Sequence, residues 1–384
     1  MPGGALDGSG NYIPDSAVAG YYDFDDAYRC DSVLYEDQKI VYCGYFRKHW
    51  GDFIVDCVNR LWFYLCNDDE TIDYYVYFVD EDKSMDHSGN FQEYFDLLGV
   101  GDRIKMINRP TKFREVIVPE SAFHRQFNEY SPLYLSIFDQ IKQNVLALAE
   151  GDATIYPEKI FFTRSALGKA QCKEYGMDMI DDYFRINGFE IVAPEKHTLR
   201  EQVLLIHHAD VVASISGTLP HNLLFGHEDQ RLIIIERNAL NNFTQPYISR
   251  LKNIETIYID AQHTIYPVEL AYGPFIYANT KWLKQFTEDH GYQQPDPVYE
   301  SKRYLKNIFR SYMKFYQNEY YMTWYMGGAT PWMKRDIDIL YEAHEEGAET
   351  FKPWIKDREP YRLTQHFEGA QIKKAIKRML RVGR

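Results

Sequence analysis

The chain has 384 residues and a formal net charge of −13, with 45% hydrophobic and 26% charged residues. That length supports about two domains with real apolar cores. The composition excludes a disordered chain, and the acidity excludes a phosphate-backbone binder and hence a nucleic-acid partner. The aromatic load of 32 Tyr, 23 Phe and 6 Trp supplies flat rings with polar tips, suited to sugars and interfaces alike. Cys30, Cys43, Cys57, Cys66 and Cys172 are odd in number and form no CxxC pair. They read as reduced thiols rather than a disulfide framework or a zinc site. No run of 18 apolar residues occurs, and Met1-Pro2-Gly3-Gly4 lacks a charged-then-apolar signal pattern. The expectation is a cytoplasmic chain that touches a membrane, if at all, peripherally.

Residues 1–28 are rich in Gly, Asp and Tyr and form a lead-in. Residues 29–150 follow as a first α/β domain. It opens with a strand over Lys39–Phe46 and a helix over Phe53–Leu65, where Ile54, Val58, Leu61, Trp62 and Leu65 recur at helical spacing. Strands are predicted at Asp73–Val79, Arg103–Ile107 and Glu115–Val118, with helices at Phe91–Leu98 and Pro132–Ala149. A linker at Gly151–Pro157 begins the second domain, residues 151–275. There, strands at Lys159–Thr163, Phe189–Ala193, Val211–Ser214, Leu232–Ile235 and Thr256–Ile259 alternate with helices at Lys173–Asn187, Leu199–His208, Pro220–Phe225 and Gln245–Leu251. Such alternation calls for a mostly parallel sheet covered on both faces. Thr198-Leu199-Arg200-Glu201 has the form of a capping box. Residues 276–384 are helical in pattern, with a stripe over Tyr299–Tyr321 and another helix opening at Thr330-Pro331. The last fourteen residues, 371–384, carry six bases and no acid, leaving −19 on the body.

Two α/β halves with a cleft between them suit a nucleotide-linked substrate, bound beyond the carboxyl ends of the strands. Three loops there carry possible chemistry. His49-Trp50-Gly51-Asp52-Phe53 offers Asp52, or His49 in reserve, as a general base toward a substrate hydroxyl. Equally, Asp52 suits a helix N-cap, and Asp56 and Arg60 suit an i,i+4 surface pair. Thr163-Arg164-Ser165-Ala166-Leu167-Gly168-Lys169 either holds a diphosphate through Arg164, Ser165 and Lys169 or is an ordinary strand-to-helix loop. Ser214–Asn222 offers Ser216, Gly217 and Thr218, then Pro220 at a helix start, where free N–H groups face an incoming phosphate. His221 either donates to that phosphate or is a structural histidine. Glu236 either binds a ribose hydroxyl pair or pairs with Arg237. Asp80-Glu81-Asp82 has the look of a metal–nucleotide DxD, but residues 68–102 hold eleven acids and one base, which reads as a solvated acidic edge. His207-His208, His87 and His124 lack ligand spacing, and no GxSxG or HExxH occurs.

Gly44-Tyr45-Phe46, His49–Asp56 and Arg60-Leu61-Trp62, then Glu115–Pro119, Phe162–Ser165, Phe189–Val192, Glu201–Val203, Ala209–Val212, Ser216–Thr218 and Asn222–Phe225 together resemble the motif series of glycosyltransferase family 61. Many bacterial members of that family are described as capsular polysaccharide biosynthesis proteins. The resemblance spans roughly residues 40–260. Two departures are visible: members often have His where Asp52 and Ser216 stand. His221 occupies a place where Thr is common. The resemblance implies a GT-B fold of two facing Rossmann-like domains with a C-terminal helical extension. It also implies an inverting, metal-independent transfer from a nucleotide sugar, expected to be uridine-diphosphate-linked, with no resident cofactor. Asp52 or His49 would be catalytic. Arg164, Ser165, Lys169, Ser216, Gly217, Thr218, His221, Asn222 and Glu236 would bind the donor, and Asp56 and Arg60 would support the acceptor side. The acceptor would be a hydroxyl of a cell-surface polysaccharide or lipid-linked oligosaccharide. The amphipathic 371–384 tail either rests on anionic lipid or is a solvated helix. The rival readings are a metal-dependent GT-A transferase using Asp80 and Asp82, and a non-catalytic sugar-binding or scaffold protein.

Overall fold

The computed structural model describes residues 4–16, 32–79, 84–124, 129–171, 173–238, 244–264, 273–305, 307–308 and 311–312. Asp80 and Asp82, Cys30 and Cys172, most of the lead-in, and the helices and basic tail expected beyond residue 312 lie outside the described residues. Among the described residues, no helix is long and apolar enough to cross a membrane.

Four strands build the first sheet: β1 (Leu34–Tyr45), β2 (Tyr74–Phe78), β3 (Ile104–Ile107) and β4 (Thr111–Ile117). All pairings are parallel, in the order β3-β2-β1-β4. A register shift between Glu36 and Lys39 bends the β1–β4 ribbon. Phe113 of β4 joins Ile40, Tyr42 and Val76 in one apolar cluster, and Lys105 of β3 reaches Glu36 and Gln38 of β1. Helices α1 (Asn90–Leu98) and α2 (Pro132–Leu148) belong to this half. Ser131 caps α2 by accepting from Leu133 N–H, with Pro132 in the first turn where no donor is needed.

The second sheet comprises β5 (Lys159–Phe162), β6 (Glu190–Val192), β7 (Val211–Ile215), β8 (Arg231–Ile235) and β9 (Glu255–Ile259). Its order is β9-β8-β7-β5-β6, again wholly parallel. These strands are apolar runs because helices cover the sheet: α3 (Met177–Ile186), α4 (Leu199–His208), α5 (Thr244–Leu251) and α6 (Lys281–Asp289). The Thr198–Glu201 capping box forms as expected. In both sheets the strand order reverses beside the first strand, β1 in one and β5 in the other. A crevice outside the carboxyl ends opens at such a reversal. The α/β expectation of two parallel sheets therefore holds.

Three elements differ from expectation. The helix expected over Phe53–Leu65 is a π-turn at Phe53–Cys57, closed by Val58 N–H on the Phe53 carbonyl, followed by a short helix at Trp62–Cys66. Phe53, Ile54, Val55, Cys57 and Val58 are all buried. Apolar contacts all round, rather than one stripe, favour the wider turn. The helix expected from Lys173 starts at Met177, because Glu174-Tyr175 pairs as a strand with Phe275-Ile276. Leu219–Phe225 is a seven-residue 3₁₀ helix, every residue from Pro220 on buried.

The halves share one apolar core. Leu199, Val203, Leu204, Leu224, Phe225 and Ile248 of the second half cluster with Tyr94, Phe95, Phe138 and Ile141 of the first. Glu93 on α1 accepts from the N–H groups of Leu199 and Arg200 at 2.7 and 3.0 Å, so a carboxylate of one half caps α4 of the other.

Candidate functional site

The loop leaving β1 begins at Phe46, whose N–H still bonds to the Phe78 carbonyl. It then turns through His49 into a single helical turn, Trp50–Asp52. The Asp52 carboxylate makes no cap hydrogen bond, so the N-cap reading fails. It is one-fifth exposed, and its Oδ2 accepts from Arg47 Nη1 at 3.1 Å and lies 3.3 Å from His49 Nδ1. The side chain is held at the mouth of the first sheet beside an exposed imidazole. Arg60 is buried rather than paired on the surface of a helix: its Nε donates to the Pro119 carbonyl at 3.0 Å, beyond the end of β4. The π-turn explains this, since it rotates residues after Cys57 away from the positions that a regular helix would give them. Asp56 lies within that turn, half-buried.

The loop leaving β7 meets this one directly. Trp50 Nε1 donates to Asn222 Oδ1 at 2.7 Å, and Asn222 Nδ2 in turn reaches Gln202 at 3.3 Å. Gly51 lies so close to Thr218 that a Cβ on it would stand 2.3 Å from Thr218 Cγ2. The sequence-predicted base loop and the Ser216–Asn222 loop are thus in contact, with the carboxyl edges of the two sheets facing each other there. His221 is buried beneath this loop, its Nδ1 2.7 Å from Gln245 Oε1 on α5. The helix expected to open at Pro220 is a 3₁₀ helix with Thr218 at its N-cap, so the Ser216–Thr218 turn stands at its amino end.

The carboxyl ends of β5, β8 and β9 complete the surroundings. Ser165 Oγ donates to Asp181, which also accepts from Thr163 Oγ1 at 2.7 Å. Burial raises the Asp181 carboxyl above its ordinary value, opposed by those two hydroxyls. Arg164 Nε bonds Glu174 Oε1 at 2.6 Å, and Tyr277 OH donates to the other Glu174 oxygen at 3.2 Å. Lys169 lies on the short helix Gly168–Gln171. Ser216 Oγ accepts from the Arg237 backbone N–H at 3.0 Å. Glu236 is 6% exposed, and among the described residues neither of its carboxylate oxygens has a hydrogen-bond partner, Arg237 included. Burial pushes its pKa up to about 7, with Ser216 opposing, Asp260 adding and Arg237 opposing.

The sequence reading missed Arg237. It is 6% exposed, lies over the Phe275 ring at 4.8 Å from its centroid, and stands against Gly217, where a Cβ would be 2.5 Å from Nη2. The available signal was its position just past a buried strand, the place Arg164 holds after β5. Among the described residues, no group of His, Cys, Asp and Glu could hold a metal ion.

A family model described as Glycosyltransferase 61 matches residues 50–233, a span that begins at Trp50 and takes in both contacting loops. No curated protein matches the sequence. Among solved structures, the glycosyl transferase family 9 protein from Veillonella parvula DSM 2008 is similar at 10% identity and a TM-score of 0.28, over 58% of this chain and 86% of that chain.

Proposed function

We propose, from the match of residues 50–233 to the family model described as Glycosyltransferase 61, that this chain performs inverting, metal-independent transfer of a sugar from a nucleotide sugar to a glycan hydroxyl. The acceptor oxygen attacks the anomeric carbon as its proton passes to the Asp52 carboxylate. The bond from that carbon to the diphosphate oxygen breaks, and the nucleoside diphosphate departs with the electron pair. His49 and Arg47 hold Asp52 in place. Ser216, Gly217 and Thr218, with Ser165 and Lys169, flank the diphosphate, and the unpartnered Glu236 receives the ribose hydroxyls. His221 and Asn222 support the loop from beneath, and Arg60 and Asp56 support the base from behind.

The observation that carries this reading is the contact between Gly51 and Thr218, backed by the Trp50–Asn222 hydrogen bond. It sets a carboxylate from one sheet edge beside the small-residue loop of the other, as attack on a bound donor requires. A thermal-shift screen of nucleotides and nucleotide sugars tests it, since a ligand at 100 times its Kd adds about 2.7 kcal/mol of stability. A shift with at least one nucleotide sugar is expected, followed by transfer that persists in EDTA and in Asp82→Ala. Loss of activity in both conditions would favour the metal-dependent alternative. The acceptor is proposed to be a growing cell-surface or lipid-linked glycan on the cytoplasmic side, approached with the help of the basic 371–384 segment. Co-sedimentation of the full chain with anionic vesicles, and loss of it in a 1–370 truncation, is the expected result. Equal pelleting of both would remove the tail from the membrane.

A further inference from the structure

Resting on the donor-site reading above, we propose that Arg237, rather than Arg164, receives the phosphate charge of the donor. Both arginines stand at carboxyl ends of the second sheet and both feel the charge of Glu174, but it is Arg164 that is hydrogen-bonded to it. Arg164 is bound to Glu174, whose side chain is only 1% exposed, so the guanidinium neutralises a buried carboxylate. Removing it would take the ion pair from a buried carboxylate, which is a structural loss. Arg237, 6% exposed, lies deeper than Arg164, and its Nε is buried with no hydrogen-bond partner among the described residues. A buried donor on a charged group is costly to leave unmatched, which favours any ligand that completes it.

The neighbouring residue has the complementary deficiency. Glu236 keeps both carboxylate oxygens buried and without a hydrogen-bond partner among the described residues. Glu236 and Arg237 lie just past β8, and among the described residues no hydrogen bond joins their side chains. The turn at Ser216-Gly217 packs against both: Ser216 Oγ accepts from the Arg237 N–H, and Gly217 lies against the Arg237 guanidinium. Gly217 has φ +131°, and any side chain there would meet Nη2 at 2.5 Å. Only glycine lets the loop and the guanidinium form one continuous surface. A ligand that answers both deficiencies carries an anion for Arg237 and hydroxyl donors for Glu236, which describes a nucleoside diphosphate. A guanidinium binds phosphate oxygens in a two-pronged way that an ammonium cannot copy.

The test is calorimetry on the full chain with UDP, uridine and inorganic pyrophosphate as probes. Arg237→Gln is expected to weaken UDP and pyrophosphate by at least tenfold while uridine stays within twofold of wild type. Arg237→Lys, which keeps the charge and loses the fork, should fall between. Gly217→Ala, which displaces the guanidinium without removing it, should weaken UDP as Arg237→Gln does. Arg164→Gln should lower the melting temperature more than it lowers UDP affinity. If wild type binds UDP and Arg237→Gln binds it within twofold, or loses UDP and uridine in equal measure, the assignment is overturned while the donor site stands. If wild type binds no nucleotide at all, the donor-site reading falls and this assignment falls with it.

Discussion

Glu236 is held at the carboxyl end of β8 with a pKa near 7, raised first by burial and then by the charge of Asp260. An ordinary glutamate titrates at 4.5, so between that value and about 7 the folded chain binds a proton that the unfolded chain has released. The stability contributed by this proton is complete below 4.5 and is lost as pH rises through 7. Glu236→Gln removes the dependence. Denaturant unfolding at about pH 5 and about pH 8 should show wild type losing on the order of 2 kcal/mol more than the variant over that interval. Parallel behaviour of the two proteins would mean that the carboxylate is not strained in the fold. The same residue illustrates what sequence withholds. Glu236 reads in sequence either as a ribose ligand or as the partner of Arg237, and only the packed structure shows its oxygens buried with no hydrogen bond among the described residues. Asp52 is similar: its place before an apolar run signals a cap, while the structure spends the carboxylate on Arg47 and His49.

At the scale of elements, the strands were legible because a parallel sheet covered on both faces needs uninterrupted apolar runs. Ile160–Phe162, Val211–Ile215 and Leu232–Ile235 supply them. The helix ends were legible where capping chemistry is local, as at Thr198 and Glu201. The segments 53–65 and 219–225 were not, because hydrophobic spacing cannot separate α, π and 3₁₀ windings when nearly every residue is buried. The second segment shares in the contact between the halves, through Asn222 bonded to Trp50 and Phe225 packed on Tyr94 and Phe138. Trp50→Phe keeps the aromatic packing on Phe53 and Phe91 but removes the 2.7 Å bond to Asn222. Leaving a buried Asn222 oxygen unmatched should cost about 1–3 kcal/mol. Turnover should fall by roughly tenfold while UDP affinity stays within about twofold, because the base loop moves and the donor residues do not. Steady-state kinetics beside calorimetry reads both quantities; a loss confined to UDP affinity would place Trp50 in the donor site instead.

Across the whole molecule, the two sheets are joined by a single apolar core rather than by a linker alone. Phe225 from the second half packs its ring 5.3 Å from Phe138 and 6.3 Å from Tyr94 of the first. Such burial was invisible in the sequence, where residues 225 and 94 belong to separate patterns. Phe225→Ala should destabilise the protein by about 3–5 kcal/mol. Intrinsic fluorescence and circular dichroism should then show one shared transition at lower denaturant. Two separated transitions in the wild type would show that the halves fold independently. A joint of this kind holds the base on one half and the phosphate-binding residues on the other at a fixed separation, and that division of labour is the central claim. Turnover of Asp52→Asn, measured beside its UDP affinity, tests it most directly. Positioned base catalysis typically supplies 10²–10⁴-fold, so turnover should fall by roughly that range while UDP affinity stays within about twofold of wild type. Turnover within about threefold of wild type would contradict the claim and leave Asp52 as no more than the ionic partner of Arg47.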